Sequence, residues 1–176
     1  MSPEVTEGRT KFVTSPKVFF NPEMESNRSI TVQALNSFFD RPFTAIDALS
    51  GSGAKGLRVA NETLAKRVIL NDANPNSRQL MEEGIALNKL KNVEICSEDA
   101  NVLLSRHKRR ENFVDIDPFG SPSGFIDSAI RALLPKDAVL AITATDTGAL
   151  AGSFKNAALR RYGAVSYTHL TLPTKR

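Results

Sequence analysis

Short apolar runs alternate with amphipathic stretches along most of this 176-residue chain. Phe43 to Leu49, Arg67 to Asp72, Val93 to Cys96, Phe113 to Ile116 and Ala138 to Thr145 are brief and rich in Val, Ile, Leu and Phe, as strands are. Between them, helical spacing is expected over Ala54 to about Ala65, Asn76 to Asn88, Asn101 to Arg106 and Gly124 to Leu134. Leu80, Ile85 and Leu87 are the apolar points of the second of these. Phe125, Ile126, Ile130 and Leu133 are taken as the inner face of the fourth. Another helix, Phe154 to Arg160, follows the last strand. Strand alternating with helix five times predicts an α/β fold, Rossmann-like, with a mostly parallel sheet and helices on both faces. Right-handed crossovers then bring every strand C-terminus to one edge. Asp47, Asp72, Asp99, Asp117 and Asp146 all fall at or near such tips.

The ends of the chain read differently. Residues 1 to 22 are irregular, with short extended segments around Thr6, Lys11 to Val13 and Val18 to Pro22. Ser26 or Asn27 is expected to cap a helix carrying Ile30, Ala34, Leu35 and Phe38 on one face. Arg41-Pro42 breaks that pattern. The expected organisation is an N-terminal extension with the start of the first helix over 1–34, then a Rossmann-like domain over 35–165 that lacks its last strands. Residues 166–176 continue no pattern and read as a non-native tail, so the chain is taken as a fragment.

Composition narrows the class. The chain is 41% hydrophobic, enough for one globular core. A net charge of +4 permits a nucleic-acid partner without demanding one. A single cysteine, Cys96, excludes an internal disulfide framework and fits a reducing compartment. It sits in an apolar run and reads as core. Two histidines and one cysteine are too few for a His/Cys zinc site, so no metal is expected. No run is long enough to cross a membrane, and the N-terminus lacks a signal-peptide apolar region. Oligomeric state is not legible.

The chemistry gathers at the strand tips. Gly51-Ser52-Gly53-Ala54-Lys55-Gly56 matches G-x-G-x-x-G after a strand and before a helix. Glycines there allow a tight turn and close approach of backbone to ligand. Asp72 at the second tip suits ribose hydroxyls. Either a nicotinamide or flavin dinucleotide or S-adenosylmethionine fits these two features. Asp47 beside the turn favours the second, because a carboxylate suits a cation and not a pyrophosphate. Asp99 with Ala100 offers an acceptor for an adenine amino group and a small residue under the ring. Arg28 and Arg58 are the nearby cations for a ligand carboxylate, although an isolated arginine is more often a surface residue.

Asp115-Ile116-Asp117-Pro118-Phe119-Gly120-Ser121-Pro122 is the most specific segment. Asp117 and the Pro118 carbonyl accept hydrogen bonds from an amino group, and Phe119 offers a flat face for a base. The expectation is that Asp115 and Asp117 diverge to opposite faces, so that only Asp117 faces the ligand. Asp146 is read as support for this clamp, as a substrate contact, or as a helix cap.

In these segments the chain resembles the tRNA (guanine(26)-N(2))-dimethyltransferases of archaea and eukaryotes. The resemblance runs through Val18-Phe19-Phe20-Asn21-Pro22, Asn27-Arg28, Asp47 to Gly53, Gly56-Leu57-Arg58, Leu70-Asn71-Asp72, Glu98 to Asn101, Asp115 to Pro122 and Thr143 to Asp146. It implies S-adenosyl-L-methionine as cofactor, tRNA as partner, and methylation of a guanine N2. It also implies cofactor contacts at Arg28, Arg58, Asp72, Asp99 and Ala100, with Asp117 as catalytic acid. The location implied is intracellular: nucleus or mitochondrion in a eukaryote, cytoplasm in an archaeon. Two rivals are kept. One is an NAD(P)-dependent oxidoreductase on the same sheet. The other is a non-catalytic RNA-binding fragment served by Arg106-His107-Lys108-Arg109-Arg110.

Overall fold

The computed structural model describes residues 3–163. The chain opens with an antiparallel hairpin of β1 (Glu4–Glu7) and β2 (Thr10–Val13). A single 3-10 turn, Pro22–Met24, is capped by the Asn21 side chain and runs directly into α1 (Glu25–Phe38). The cap therefore falls one turn before Ser26 and Asn27, which lie inside the helix. The buried face of α1 is Arg28, Val32 and Leu35, while Ile30 and Phe38 are exposed. That stripe is rotated from the expected one because its spacing runs on into buried Phe39. The boundary expected between residues 34 and 35 falls inside α1.

The alternating part follows as β3 (Phe43–Asp47), α2 (Ala54–Glu62), β4 (Ala65–Asn71), α3 (Pro75–Asn88), β5 (Val93–Cys96) and α4 (Ala100–Arg106). It ends with β6 (Phe113–Ile116), α5 (Ile126–Ala132), β7 (Val139–Ile142), α6 (Thr147–Leu150) and α7 (Lys155–Tyr162). The five strands β3 to β7 form one parallel sheet in the order β5-β4-β3-β6-β7. The Rossmann-like expectation holds. So do the first four of its strands in the chain, β3 to β6, to within a few residues at their ends.

Other details differ. Ile130 is exposed and α5 buries Ala129 and Ala132 instead. Leu87 lies on the outer side of α3. β7 stops at Ile142: Thr143 N–H still donates to Ile116 at the end of β6, and Thr145 N–H then donates to Gly120 in the loop beyond. The short helix α6 was not legible. The tail reading for 166–176 lies outside the described residues.

Strand alternation divides the core in two. Phe43, Ala45, Val68, Leu70 and Phe113 face α1, α2 and α3, where Leu35, Leu57 and Met81 cover them. Ile46, Ile69, Val114 and Ile116 face Leu103, Leu104, Ala129 and Ala132 of α4 and α5. By the same parity, Asp47 and Asp115 fall on the α2 side.

Gly56 shows how closely α2 approaches the sheet. A Cβ at this position would stand 2.1 Å from Leu70 Cδ2 and 3.0 Å from Asp47 Oδ2. Gly56→Ala is expected to cost roughly 1–3 kcal/mol through overpacking. Thermal denaturation would show a drop of roughly 3–10 °C. An unchanged melting temperature would mean that α2 is free to move off the sheet.

Candidate active site

The strand order reverses between β3 and β6, and the crevice beyond the tips of those two strands is where an open α/β sheet takes its ligand. A cavity of about 860 Å³ lies there, in the range of a nucleoside-sized ligand. The turn after β3 supplies Ser50, Gly51 and Ser52, and the loop after β6 supplies Asp117, Pro118 and Phe119. The glycine turn and the phenylalanine corner thus open into one space.

The turn is held by hydrogen bonds that explain its sequence. Gly51 and Gly53 have φ of +54° and +84°, the left-handed region that favours glycine. The Gly51 N–H donates to Asp72 Oδ2 at 2.7 Å, and Asn74 N–H donates to Asp72 Oδ1 at 2.8 Å. Asp72 therefore shapes the turn as well as lining the cavity. Buried Asn71 ties three tips together: its amide donates to the carbonyls of Ala48 and Glu98 and accepts from Glu98 N–H.

Behind the turn lies a charged cluster. Asp47 and Asp115 are register partners on adjacent strands, so their carboxylates stand side by side under α2. Lys55 descends from α2 onto them. Its Nζ is 3.1 and 3.0 Å from the two Asp115 oxygens and 2.9 Å from Asp117 Oδ2. Gly56 N–H donates to Asp47 Oδ2 at 3.0 Å. Burial, and then the Asp115 charge, push the Asp47 carboxyl up to about 8. Burial pushes Asp115 up to about 6, against the pull of Lys55. Burial pulls the Lys55 ammonium down, but Asp115, Asp117 and Asp47 together outweigh it and the net shift is upward.

This overturns the expectation that Asp115 and Asp117 diverge. Residues two apart on a strand share a face, and both carboxylates bind the same ammonium. They differ in access: Asp115 is 1% exposed and the Asp117 side chain 27%.

The rim is aromatic. Phe119 is 88% exposed and meets Phe19, also exposed, edge to face at 5.1 Å. The loop carrying Phe119 is fixed to the end of β7, where Gly120 N–H donates to Thr145 Oγ1 at 3.2 Å. Asp146 lines the same cavity. It stands at the start of α6, but its side chain makes no cap. Instead it accepts from the Tyr162 hydroxyl at 2.5 Å and from Arg161 at 3.2 Å, and the Tyr162 bond holds its carboxyl below the usual range.

Not every expected residue gathers here. Arg28 lines the cavity but is buried, with a bidentate pair to Glu7 at 2.7 and 2.6 Å and the Phe20 ring 5.1 Å away. Arg58 is buried outside the lining, donating to Glu62 and Ser29. Neither arginine is a surface residue. Gly53, Asp99 and Ala100 also lie outside the lining. Asp99 Oδ1 caps α4, and Ala100 packs in the core. Of the basic cluster, Arg106 pairs with Glu98, and His107 Nδ1 is 2.7 Å from Glu111. Lys108 and Arg109 line a separate cavity beside α5. Among the described residues no helix is long and apolar enough to cross a membrane.

Lys55, Asp115, Phe19 and Phe20 are cavity residues that sequence reasoning did not assign. A lysine inside an otherwise buried helix was a usable signal for the first. Strand parity was the signal for the second. The aromatic pair stood in an apolar run and in one of the segments that carry the resemblance, with no role read for it.

A switch-point cavity between a glycine turn and an Asp-Pro-Phe corner defines a Rossmann-like α/β domain of the kind that binds an adenosine-containing ligand at its strand tips. The chain belongs to the N2,N2-dimethylguanosine tRNA methyltransferase family, whose model matches residues 2–171. A tRNA (guanine(26)-N(2))-dimethyltransferase of Methanococcus aeolicus is 46% identical over 178 residues, covering 91% of this chain and 48% of the relative. That of Methanocaldococcus jannaschii is 42% identical over 154 residues, covering 83% and 41%. The structure of Trm1 from Pyrococcus horikoshii with S-adenosyl-L-methionine superposes with a TM-score of 0.87 at 37% identity, covering 94% of this chain and 48% of that one. Trm5b from Pyrococcus abyssi, 20% identical with a TM-score of 0.67, covers 79% and 39% and shares the fold. The chain spans about half the length of the curated relatives it matches.

Proposed function

We propose that this chain carries the catalytic half of a methyltransferase that modifies the exocyclic N2 of a guanine in tRNA, guanine 26, first to the monomethyl and then to the dimethyl product. The observation that carries the reading is the shared cavity of Gly51 and the Asp117-Pro118-Phe119 corner. Family membership supports it, and so does the solved relative with S-adenosyl-L-methionine. The same findings weigh against an oxidoreductase and against a bare RNA-binding module.

The residues present suit S-adenosyl-L-methionine. The cavity has nucleoside size, Asp72 stands at the second tip, and the acid-rich wall favours a cation. When bound, this cofactor supplies an electrophilic methyl group on a sulfonium. Everything else is done by the chain. Phe119, with Phe19 at right angles to it, gives the guanine a stacking face worth roughly 1–3 kcal/mol. That offsets part of the few kcal/mol needed to unstack a base from folded tRNA. Asp117 and the Pro118 carbonyl accept the amine N–H bonds and hold the nitrogen for in-line attack. Positive charge grows on nitrogen as the new bond forms, so the fixed carboxylate stabilises the transition state above the ground state. Asp117 then takes the released proton as general base.

Two measurements test the cofactor assignment. S-adenosylhomocysteine should raise the melting temperature of the chain where NAD does not; the reverse would restore the oxidoreductase. Asp72→Ala should weaken S-adenosylhomocysteine roughly 10- to 100-fold by calorimetry, through loss of a charged acceptor and loosening of Gly51. An unaltered affinity would remove Asp72 from the ribose site.

A further inference from the structure

Lys55 is out of keeping with its helix. α2 is buried from Ala54 to Ala60, and an unpaired ammonium in that setting is strongly disfavoured. Carboxyl groups face it from every side: Asp47 on β3, Asp115 on β6, and Asp117 in the loop beyond. The geometry is directional as well as neutralising. Asp115 is locked in the core and Asp117 stands at the cavity, and one ammonium bonds both. Lys55 holds Asp117 by Oδ2, which reserves Oδ1 for another donor.

We propose that Lys55 is a positioning residue for methyl transfer: bridging core Asp115 to Asp117, it fixes the Asp117 side chain by Oδ2 and aims Oδ1 at the acceptor amine. The inference rests on the methyltransferase reading given above. Transfer would form the carbon–nitrogen bond as the methyl–sulfur bond breaks and S-adenosylhomocysteine leaves, and the proton of the broken amine N–H bond would pass to Asp117 Oδ1. Lys55 stays an ammonium, held by Asp115, and the partly exposed Asp117 passes the proton on to water. Asp117 is thereby reset before a second methyl is added to the same nitrogen.

The surrounding carboxyls report on this role. In the intact cluster burial raises both carboxyls, Asp47 further than Asp115, which Lys55 pulls back down. Without the lysine, Asp115 loses the charge that opposes its burial and takes up a proton.

The test uses Lys55→Met in the 176-residue chain. Carbon-13 NMR of aspartate-labelled protein at pH 7 should show one more neutral buried carboxyl than the unsubstituted chain. Turnover on a tRNA transcript should fall roughly 100-fold, the order expected of a misaimed reacting group, while S-adenosylhomocysteine affinity stays within about threefold. Lys55→Met with Asp115→Asn removes both buried charges and guards against simple unfolding. The double variant should remain as slow as the single one. Recovery of turnover in it would mean that Lys55 only neutralises Asp115, and the proposal would fall. An unchanged count of neutral carboxyls in Lys55→Met would overturn it as well. Failure of the unsubstituted chain to bind S-adenosylhomocysteine would sink the methyltransferase reading, whereas the carboxyl count judges Lys55 independently.

Discussion

Replacing Asp117 with asparagine is expected to reduce methyl transfer by at least about 10³-fold, within the range of a lost general base. The substitution keeps the side-chain volume and one acceptor oxygen but loses the charge that answers the growing charge on nitrogen. It also removes a partner of Lys55, whose ammonium would then rest on Asp115 alone among its hydrogen-bonded acids. Asp117 is partly open to the cavity, so the fold should tolerate the change, with a stability loss of about 1 kcal/mol or less. S-adenosylhomocysteine should bind nearly as before. Single-turnover transfer of a labelled methyl group, beside calorimetry with S-adenosylhomocysteine, separates the two effects. Transfer at the unsubstituted rate would remove Asp117 from the chemistry. Asp115→Asn makes the contrast: Asp115 is almost wholly buried against Lys55, so its loss should show first in the melting temperature.

The ligand-free chain is expected to lose stability as pH rises from about 6 to about 8. The sign follows from Asp47. Its folded carboxyl is raised from 3.8 to about 8, so between those values the folded state holds a proton that the unfolded state has released. A raised folded value contributes stability that is complete below the unfolded value and is lost as pH climbs through the folded one. Asp115, raised to about 6 by burial, acts in the same direction over a narrower window. Lys55, raised by its three carboxylate neighbours, holds its contribution up to its ordinary range and loses it only at higher pH. Two pH units at about 1.4 kcal/mol each give roughly 3 kcal/mol, or a fall of about 6–12 °C for a domain of this size. Asp47→Asn should flatten the profile. A melting temperature that rises from pH 6 to pH 8 would contradict the buried cluster.

Most of the fold could be read from strand-sized apolar runs, because a parallel sheet buried on both faces leaves that mark in sequence. The ends of the sheet were less legible. β7 ends at Ile142 and the chain then bonds the Gly120 loop, and nothing local to Ala138 to Thr145 announces that. Helix faces misled in a different way: Ile130 and Phe38 look like core residues but stand outside, because α5 buries Ala129 and Ala132 and α1 buries Val32 and Leu35 with Phe39 beyond its end. At the site, the tip acids and the glycine turn were visible from pattern alone. What they do to one another was not. Asp47 and Asp115 are 68 residues apart and become neighbours only through the register of β3 on β6. Lys55 gains its meaning from that pairing. Arg28 and Arg58 show the converse: sequence left them between ligand contact and surface, and both prove buried against Glu7 or Glu62, Arg28 at the cavity wall.

The account depends on a methyl donor and an acceptor clamp meeting at the mouth of one cavity. The most direct measurement is an isotope-filtered NOE experiment on the chain with S-adenosylmethionine carrying a carbon-13 methyl group. Cross-peaks from that methyl to Pro118 and to the Phe119 ring are the predicted result. Bound cofactor whose methyl contacts residues elsewhere, and none of the Asp117-Pro118-Phe119 corner, would contradict it.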